Sequence, residues 1–361
     1  MDFNKKVALL ILNYNSKEFI QTALDSLLAQ SYTNFEIFAI DNDSSDGSVQ
    51  YIKEHYPKNK FPNINLVEHK NNYGYGKGVN KVIKQVYKKF EFVALIDPDI
   101  RLDKNWLEEL VGTMENHLDS QICSCLTLDW EGNVIDNAGG VIVNIFAGIF
   151  TGFMGDLPVN QIPENCKNAE FPIIFGVATA MLVRSKAFEK YGFCDEDYFL
   201  YFEDFDLSWR IALGGGLNLC NTKAKAFHFG HGSKTSKNIQ TKVLKQTEIN
   251  LFATYTKNFT LISLMALLPP LLMARLIMSL IYIPISTKIT TAKIIGIVTF
   301  LKNISSGKYS NQRKFISQIR IISDRELLSR NPISIFSIKP VLTKLLPWFH
   351  TINTSFSRSN G

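Results

Sequence analysis

FEIFAIDNDSSDGS, residues 35–48, joins an apolar run broken only by Glu36 to a cluster of acids, amides, serines and one glycine. The run reads as a strand buried on both faces, and the cluster as a turn that opens a helix at Asp46, carrying Val49 and Ile52 inward. The same grammar recurs on either side. VALLIL (7–12) runs into NYN (13–15), and Phe19, Ile20, Ala23, Leu24, Leu27 and Leu28 then recur at helical spacing from about Lys17 to Ala29. INLVEH (64–69) is a third strand, followed by a helix over 74–90. FVALI (92–96) is a fourth, ended by Asp97-Pro98-Asp99, and Asp103 is placed to cap a helix through Trp106, Leu107, Leu110 and Val111. Four alternations with short links predict an α/β fold with a central, mostly parallel sheet covered on both faces. Ligands of such sheets bind beyond the carboxyl ends of the strands. The clusters 13–15, 41–43 and 97–99 all lie there. Carboxylates at that edge repel a phosphate ligand unless a divalent cation sits between them.

Beyond Ile122 the alternation fades. Residues 129–172, rich in Gly, Asn and Pro, read as loops with short antiparallel strands; VATAMLV (177–183) and a helix from about Ser185 restore order. From Asn258 long apolar stretches begin, interrupted by Pro269, Pro270 and Pro284. This divides the chain into a catalytic domain, 1–257, and a helical tail, 258–361. The five cysteines are an odd number, and Cys123 and Cys125 alternate on a strand without Cys or His partners at zinc spacing. Reduced, buried thiols in a cytosolic compartment are expected, since the first residues turn polar after six apolar positions and do not read as a secretory signal.

The net charge of +6 conceals an asymmetry. Residues 257–361 carry fourteen basic and two acidic groups, a net of +12, and residues 1–256 a net of −6. A basic, apolar tail on an acidic body points to an anionic membrane surface. Nucleic acid is disfavoured as a partner, because aromatic residues are sparse among the basic ones after Lys302. The stretch 261–285 is long enough to span a bilayer, but Arg275 at its middle and the Pro269-Pro270 pair favour two helices lying on the membrane. Packing of those helices on the catalytic domain is the competing expectation.

Three further motifs carry chemistry. FLYFEDFDLSWR (199–210) sets Glu203, Asp204 and Asp206 in an aromatic frame, where carboxylates must be paired, solvated by a cleft or shifted in pKa. Asp206 is assigned to a pair with Arg210 one turn on; Asp204 is the candidate general base. His228, in HFGHGS (228–233), follows a strand, and His231 reads as a loop residue. Gly74, Gly76 and Gly78 in NNYGYGKGVN (71–80) offer backbone amides to phosphate at a helix start.

Taken together, NYN, DNDSSDGS, NNYGYGKGVN, DPD, FLYFEDFDLSWR and HFGHGS resemble, in order and spacing, the family 2 glycosyltransferases. Among these the chain looks most like the rhamnosyltransferase type that builds bacterial cell-surface polysaccharides. The resemblance covers about residues 5–260 and implies a GT-A fold and an inverting transfer from a nucleotide sugar, either dTDP-rhamnose or a UDP-sugar. It implies a hydroxyl of a glycan or lipid-linked molecule as acceptor. It also implies roles for residues: Asp41 on the nucleotide base, Asp97 on the ribose side, Asn13 and Asn15 near the nucleotide through backbone contacts. Asp99 would hold Mg²⁺ or Mn²⁺ with His228, Asp204 would be the base, and Glu203 would orient groups beside it. The expected location is the cytoplasm, peripheral at the inner face of the cell membrane. Two other classes compete. A non-catalytic nucleotide-sugar-binding or scaffold protein requires loss of the base or the metal site, yet Asp99, Asp204 and His228 are present. A nucleotidyltransferase wants a basic glycine-rich loop after the first strand, where this chain has NYNSKE.

Overall fold

The computed structural model describes residues 5–144, 148–152, 154–230, 237–284 and 286–329. His231, Gly232 and Ser233 of the HFGHGS motif and the end of the basic tail lie outside them. Strands β1 (Val7–Asn13), β2 (Phe35–Asp41), β3 (Ile64–Glu68) and β4 (Phe92–Ile96) alternate with helices α1 (Lys17–Leu28), α2 (Ser48–His55) and α3 (Tyr75–Val86). There follow β5 (Ile100–Leu102), α4 (Trp106–Asn116), β6 (Ser120–Asp129), β7 (Ile135–Ala138), and a small hairpin of β8 (Val141–Asn144) and β9 (Ile149–Gly152). Then come β10 (Glu170–Ile173), β11 (Ala180–Arg184), α5 (Ser185–Tyr191), α6 (Glu203–Leu213) and β12 (Leu217–His228). The helix α7 (Lys237–Asn258) leads into the tail, which supplies α8 (Leu261–Ile281), α9 (Thr287–Ser305), α10 (Ser310–Ile319) and α11 (Asp324–Ser329).

The main sheet runs β10-β12-β6-β11-β4-β1-β2-β3. Strands β1, β2, β3 and β4 pair in parallel, and β6 and β12 pair in parallel beyond the antiparallel β11. Six of the eight strands on this path therefore point one way, the expected mostly parallel sheet. Alternation within β1 shows why it must be apolar throughout. Val7, Leu9 and Ile11 pack under α1, α2 and α4, whereas Ala8, Leu10 and Leu12 pack under α3, α5 and α6. The loops at the strand ends are tied down by few side chains. Asp46 accepts the Lys17 amide (2.7 Å) and the Ser48 amide (3.0 Å), so one carboxylate starts both α1 and α2. All five cysteines are free, as expected.

The tail corrects one expectation. The helix α8 runs unbroken through Pro269 and Pro270 and is not a pair of helices meeting there. A proline inside a helix costs about 3 kcal/mol, and packing on both sides of the pair offsets it. Leu264 and Leu271 are seated in a third core with Trp209, Phe252 and Phe259, and the Thr260 side chain caps the first turn by accepting the Ser263 amide. The helices α7 to α10 thus share a core with α6 of the catalytic domain.

Candidate active site

The acidic end of the sheet is assembled by backbone register. β12 pairs antiparallel with β5 so that His228 lies opposite Ile100, which places its ring beside Asp99. The Phe229 amide donates to the Asp99 carbonyl (3.0 Å) and fixes that register one residue on. Ligand atoms of Asp97, Asp99 and His228 fall within 4.8 Å of one another, so the structure brings Asp97 into the same cluster as the two residues expected to hold metal. His228 Nε2 and Asp99 Oδ1 lie 3.6 Å apart. Two hard carboxylates and an imidazole suit Mn²⁺ well and Mg²⁺ acceptably. Burial, reinforced by Asp99 and by the charge of Asp204, pushes the Asp97 carboxyl up to about 7. A group of acids that repel one another this way is one that a divalent cation would relieve.

Sequence reasoning missed the partner on the far side of the imidazole. Asp136 in β7 lies 3.1 Å from His228 Nδ1, which leaves Nε2 turned to Asp99. Burial works against a charge on His228, but the bonds to Asp136 and Asp99 outweigh it and raise the pKa to about 10. No sequence signal marks Asp136, which stands 92 positions away on a short strand of the loop-rich segment.

The candidate base is held by the same segment of backbone as Asp97. The Asp97 amide donates to the Thr179 carbonyl (3.0 Å), and the Ala178 amide donates to Asp204 Oδ2 (2.9 Å). The Phe205 amide donates to Asp204 Oδ1 (2.7 Å). Asp204 and Glu203 open α6 behind two non-glycine residues with positive φ, Tyr201 (67°) and Phe202 (77°). Such backbone persists only where the surroundings enforce it. Here Asn250 of α7 donates to the Leu200 and Tyr201 carbonyls (3.0 and 2.9 Å), and the Tyr75 amide donates to the Phe199 carbonyl (2.8 Å). The two acids then differ. Asp204 is half-buried, whereas Glu203 is buried with Oε2 lacking a protein partner. Burial and the adjacent Asp204 push Glu203 well above the usual carboxylate range. Asp204 is raised by burial too, but its backbone hydrogen bonds oppose the rise. Asp204 is thus the member of the pair that is both partly open to solvent and bonded by backbone amides that favour its ionised form. Asp206 has neither property. It pairs with Arg210 Nε (2.9 Å) as expected, and also accepts from Asn258 (2.8 Å).

The Gly74 amide donates to Asn72 Oδ1 (2.9 Å), and a Cβ at Gly74 would collide with the Phe199 carbonyl. The glycine, at φ 75°, therefore admits the loop that carries the candidate base. Asp41 is 3% exposed, and its oxygens accept from Asn13 Nδ2 (2.8 Å) and the Ser44 amide (3.0 Å). Its carboxylate thus organises the loop at the end of β2. Asn13 is fully buried in the same network, while the exposed Asn15 accepts the Ser45 amide (2.8 Å). Asn42, which the sequence analysis left aside, links two motifs: it donates to Asn72 Oδ1 (3.0 Å) and accepts the Tyr73 amide (3.1 Å).

The model of the family described as "Glycosyl transferase family 2" matches residues 8–192, just over half of the chain. This chain is a family 2 glycosyltransferase. Its relatives include the N-acetylglucosaminyl-diphospho-decaprenol L-rhamnosyltransferase of Mycobacterium tuberculosis, 25% identical over 231 residues that cover 60% of this chain and 74% of that protein. Rhamnosyltransferase WbbL of Escherichia coli is 22% identical over 235 residues, covering 64% and 86%. The family 2 chain is accordingly rhamnosyltransferase-like. Among solved structures, GalNAc-T7 with UDP, GalNAc and Mn²⁺ superposes with a TM-score of 0.54 at 13% identity, over 71% of this chain and 48% of that one. The mannosyltransferase PcManGT from Pyrobaculum calidifontis, in complex with GDP-Man and Mn²⁺, gives 0.50 at 13% identity, over 93% and 88%. At this identity the likeness speaks for the fold, which is GT-A.

Proposed function

We propose that this family 2 enzyme moves a sugar, rhamnose from dTDP-rhamnose or a hexose from a UDP-sugar, to a hydroxyl of a lipid-linked or glycan acceptor in cell-surface polysaccharide synthesis. The transfer inverts the anomeric centre and takes place at the cytoplasmic face of a membrane. What carries this reading is the Asp97–Asp99–His228 cluster, with the charge of the half-buried Asp204 acting on Asp97 and the buried Glu203 beside that base. Asp204 removes the proton from the acceptor hydroxyl as its oxygen attacks the anomeric carbon. The bond from that carbon to the diphosphate breaks, and its electron pair leaves on the phosphate oxygen. One displacement with one base inverts configuration. Asp99 and His228, with Asp97 beside them, would hold Mn²⁺ or Mg²⁺, which stabilises the charge gathering on the diphosphate. Asp136 keeps Nε2 of His228 facing that position. The loops at Asn13, Asn15 and Asp41 form the nucleotide side of the crevice. Names of relatives support the acceptor class: one acts on a diphospho-decaprenol-linked sugar.

The deciding experiment offers purified protein each nucleotide sugar in turn, with Mn²⁺ and a lipid-diphosphate-linked acceptor. Turnover of one donor, lost in Asp204→Asn, is expected. Absence of hydrolysis and of transfer with every donor would sink the reading.

A further inference from the structure

Every exposed residue along α8 is apolar, among them Ile262, Met265, Met273 and Ile277, whose exposures run from 53% to 78%. The sole charge on that helix, Arg275, points the opposite way. It is buried, with Nε donating to Glu248 Oε2 of α7 (2.9 Å) and Nη2 paired with Glu248 Oε1, to which Lys293 of α9 also donates (2.7 Å). On α9 the exposed face continues the patch with Ile295 and Val298, and the exposed Lys288 and Lys302 bracket these on the same stripe at spacings of three, four and seven residues. Soluble surfaces seldom leave so long a strip of apolar side chains uncovered.

We propose that α8 and the outer stripe of α9 form an in-plane membrane face, seated at the headgroup–acyl boundary of an anionic leaflet and not crossing it. The proposal rests on the membrane partner of the function above and adds its face and its orientation. Length and composition alone would let α8 span: 21 residues rise about 31 Å, close to the hydrocarbon thickness of a bilayer. The anchor at its centre decides otherwise. Glu248 joins α8 to α7, and α7 is packed against α6 through Tyr255, with Phe259 just past its end, on Trp209 (ring centroids 5.9 and 4.8 Å). Asn250, two residues past Glu248, holds the loop that leads to Asp204. A spanning α8 would carry an ion triad and the floor of the crevice into hydrocarbon, where charges are costly. Lying flat, α8 immerses only its outer side, and the lysines at either end of the α9 stripe reach the headgroups. Charge complementarity selects the occupant, since the cations left exposed in these helices include Lys288 and Lys302 on the stripe itself and Lys314 of α10. The same arrangement holds the crevice close to the surface where a lipid-linked acceptor resides.

The test sediments the full chain with phosphatidylcholine vesicles containing about 30 mol% phosphatidylglycerol. The wild type should pellet, stay largely bound in high salt and be released by alkaline carbonate. Met273→Glu with Ile277→Glu should lower the partition coefficient at least about tenfold, with far-UV circular dichroism and donor hydrolysis unchanged. Lys288→Glu with Lys302→Glu, which leaves the helix packing alone, should weaken binding to anionic vesicles and leave the residual binding to pure phosphatidylcholine. Resistance to carbonate would overturn the in-plane orientation in favour of a span. Pelleting of both variants like the wild type would remove the membrane face. A wild-type dimer that dissociates on Met273→Glu with Ile277→Glu, without vesicle binding, would give the patch to a second copy of the chain. Hydrolysis is read in the same samples, so loss of donor turnover with intact pelleting counts against the enzymatic reading and spares the face.

Discussion

Two groups of buried carboxylates in this chain are treated in opposite ways. In the crevice, Asp97, Asp204 and Glu203 crowd one another, and all three are pushed upward in pKa. Beneath α8, Glu248 meets two cations and is held below the usual carboxylate range despite its burial. Charge matched within the protein at the second place makes a joint between helices. Charge left unmatched at the first is a standing capacity to take up a cation or a proton, which structural ion pairs lack. Asp206, two residues past the candidate base Asp204, belongs with Glu248 by the same criterion: Lys257, Arg210 and Asn258 all face it, and its pKa is lowered.

The largest expected effect separates these two kinds of cluster. Glu248→Ala leaves Arg275 and Lys293 buried without a counter-charge, which costs about 3–5 kcal/mol. Denaturant unfolding should reveal that loss, while donor turnover per folded molecule stays at the wild-type level. A variant as stable as the wild type would mean the triad is solvated and the matched cluster is no joint.

Asp204→Asn should do the reverse. The amide keeps the shape but cannot take the proton, so turnover falls at least ~100-fold with donor affinity and melting temperature nearly unchanged. Unchanged transfer would remove Asp204 from the role of base and erase the contrast with Asp206.

Next in size is the imidazole. Asp136→Asn frees the His228 ring to turn, and loss of such an outer partner typically weakens metal binding about 10–100-fold. Calorimetric titration with Mn²⁺, or the paramagnetic signal of free Mn²⁺, measures this without any substrate. Equal affinity in the variant would leave His228 held by its strand alone.

How far these clusters were legible in the sequence follows from the distances they bridge. The strands β1, β2 and β4 were readable because a strand covered on both faces must be apolar at every position. Asp97 and Asp99 were readable because one strand end carries both. Their closeness to His228 needed the pairing of β5 with β12, which no local pattern announces. Arg275 stands out as a charge in an apolar stretch, but its partner Glu248 lies 27 positions away, and Lys293 lies 45 positions from Glu248, both in ordinary helix. The Pro269-Pro270 pair misled for the converse reason: local propensity argued for a break that the shared core of α6 to α9 overrides. Gly74 reads in the sequence as an amide at a helix start, yet what it makes room for, the Phe199 carbonyl, comes from a loop 125 residues later in the chain.

The smallest expected effect joins the two clusters through pH. A group whose pKa is raised by folding contributes stability below its unfolded value and loses it as pH climbs through the folded value. Asp97 rises from 3.8 to about 7, mainly through burial and then through Asp99, so metal-free protein loses stability as pH climbs toward neutrality. His228 rises from 6.5 to about 10 because its bonds to Asp136 and Asp99 outweigh burial, and its contribution fades over the alkaline half of the range. Both act in one direction. Asp206 and Glu248 are lowered from 3.8 and 4.5, so what they contribute is complete above those values and does not vary between mildly acidic and mildly alkaline pH. Melting of metal-free protein should therefore fall by on the order of a few degrees from mildly acid to mildly alkaline conditions. Mn²⁺ favours the ionised carboxylates, so the rise in melting temperature it produces should grow over the same interval. If the increment from Mn²⁺ were flat with pH, the ion would be binding away from Asp97 and Asp99. If metal-free protein were instead more stable at alkaline pH, the crevice carboxylates would be matched after all, and the two clusters would be of one kind.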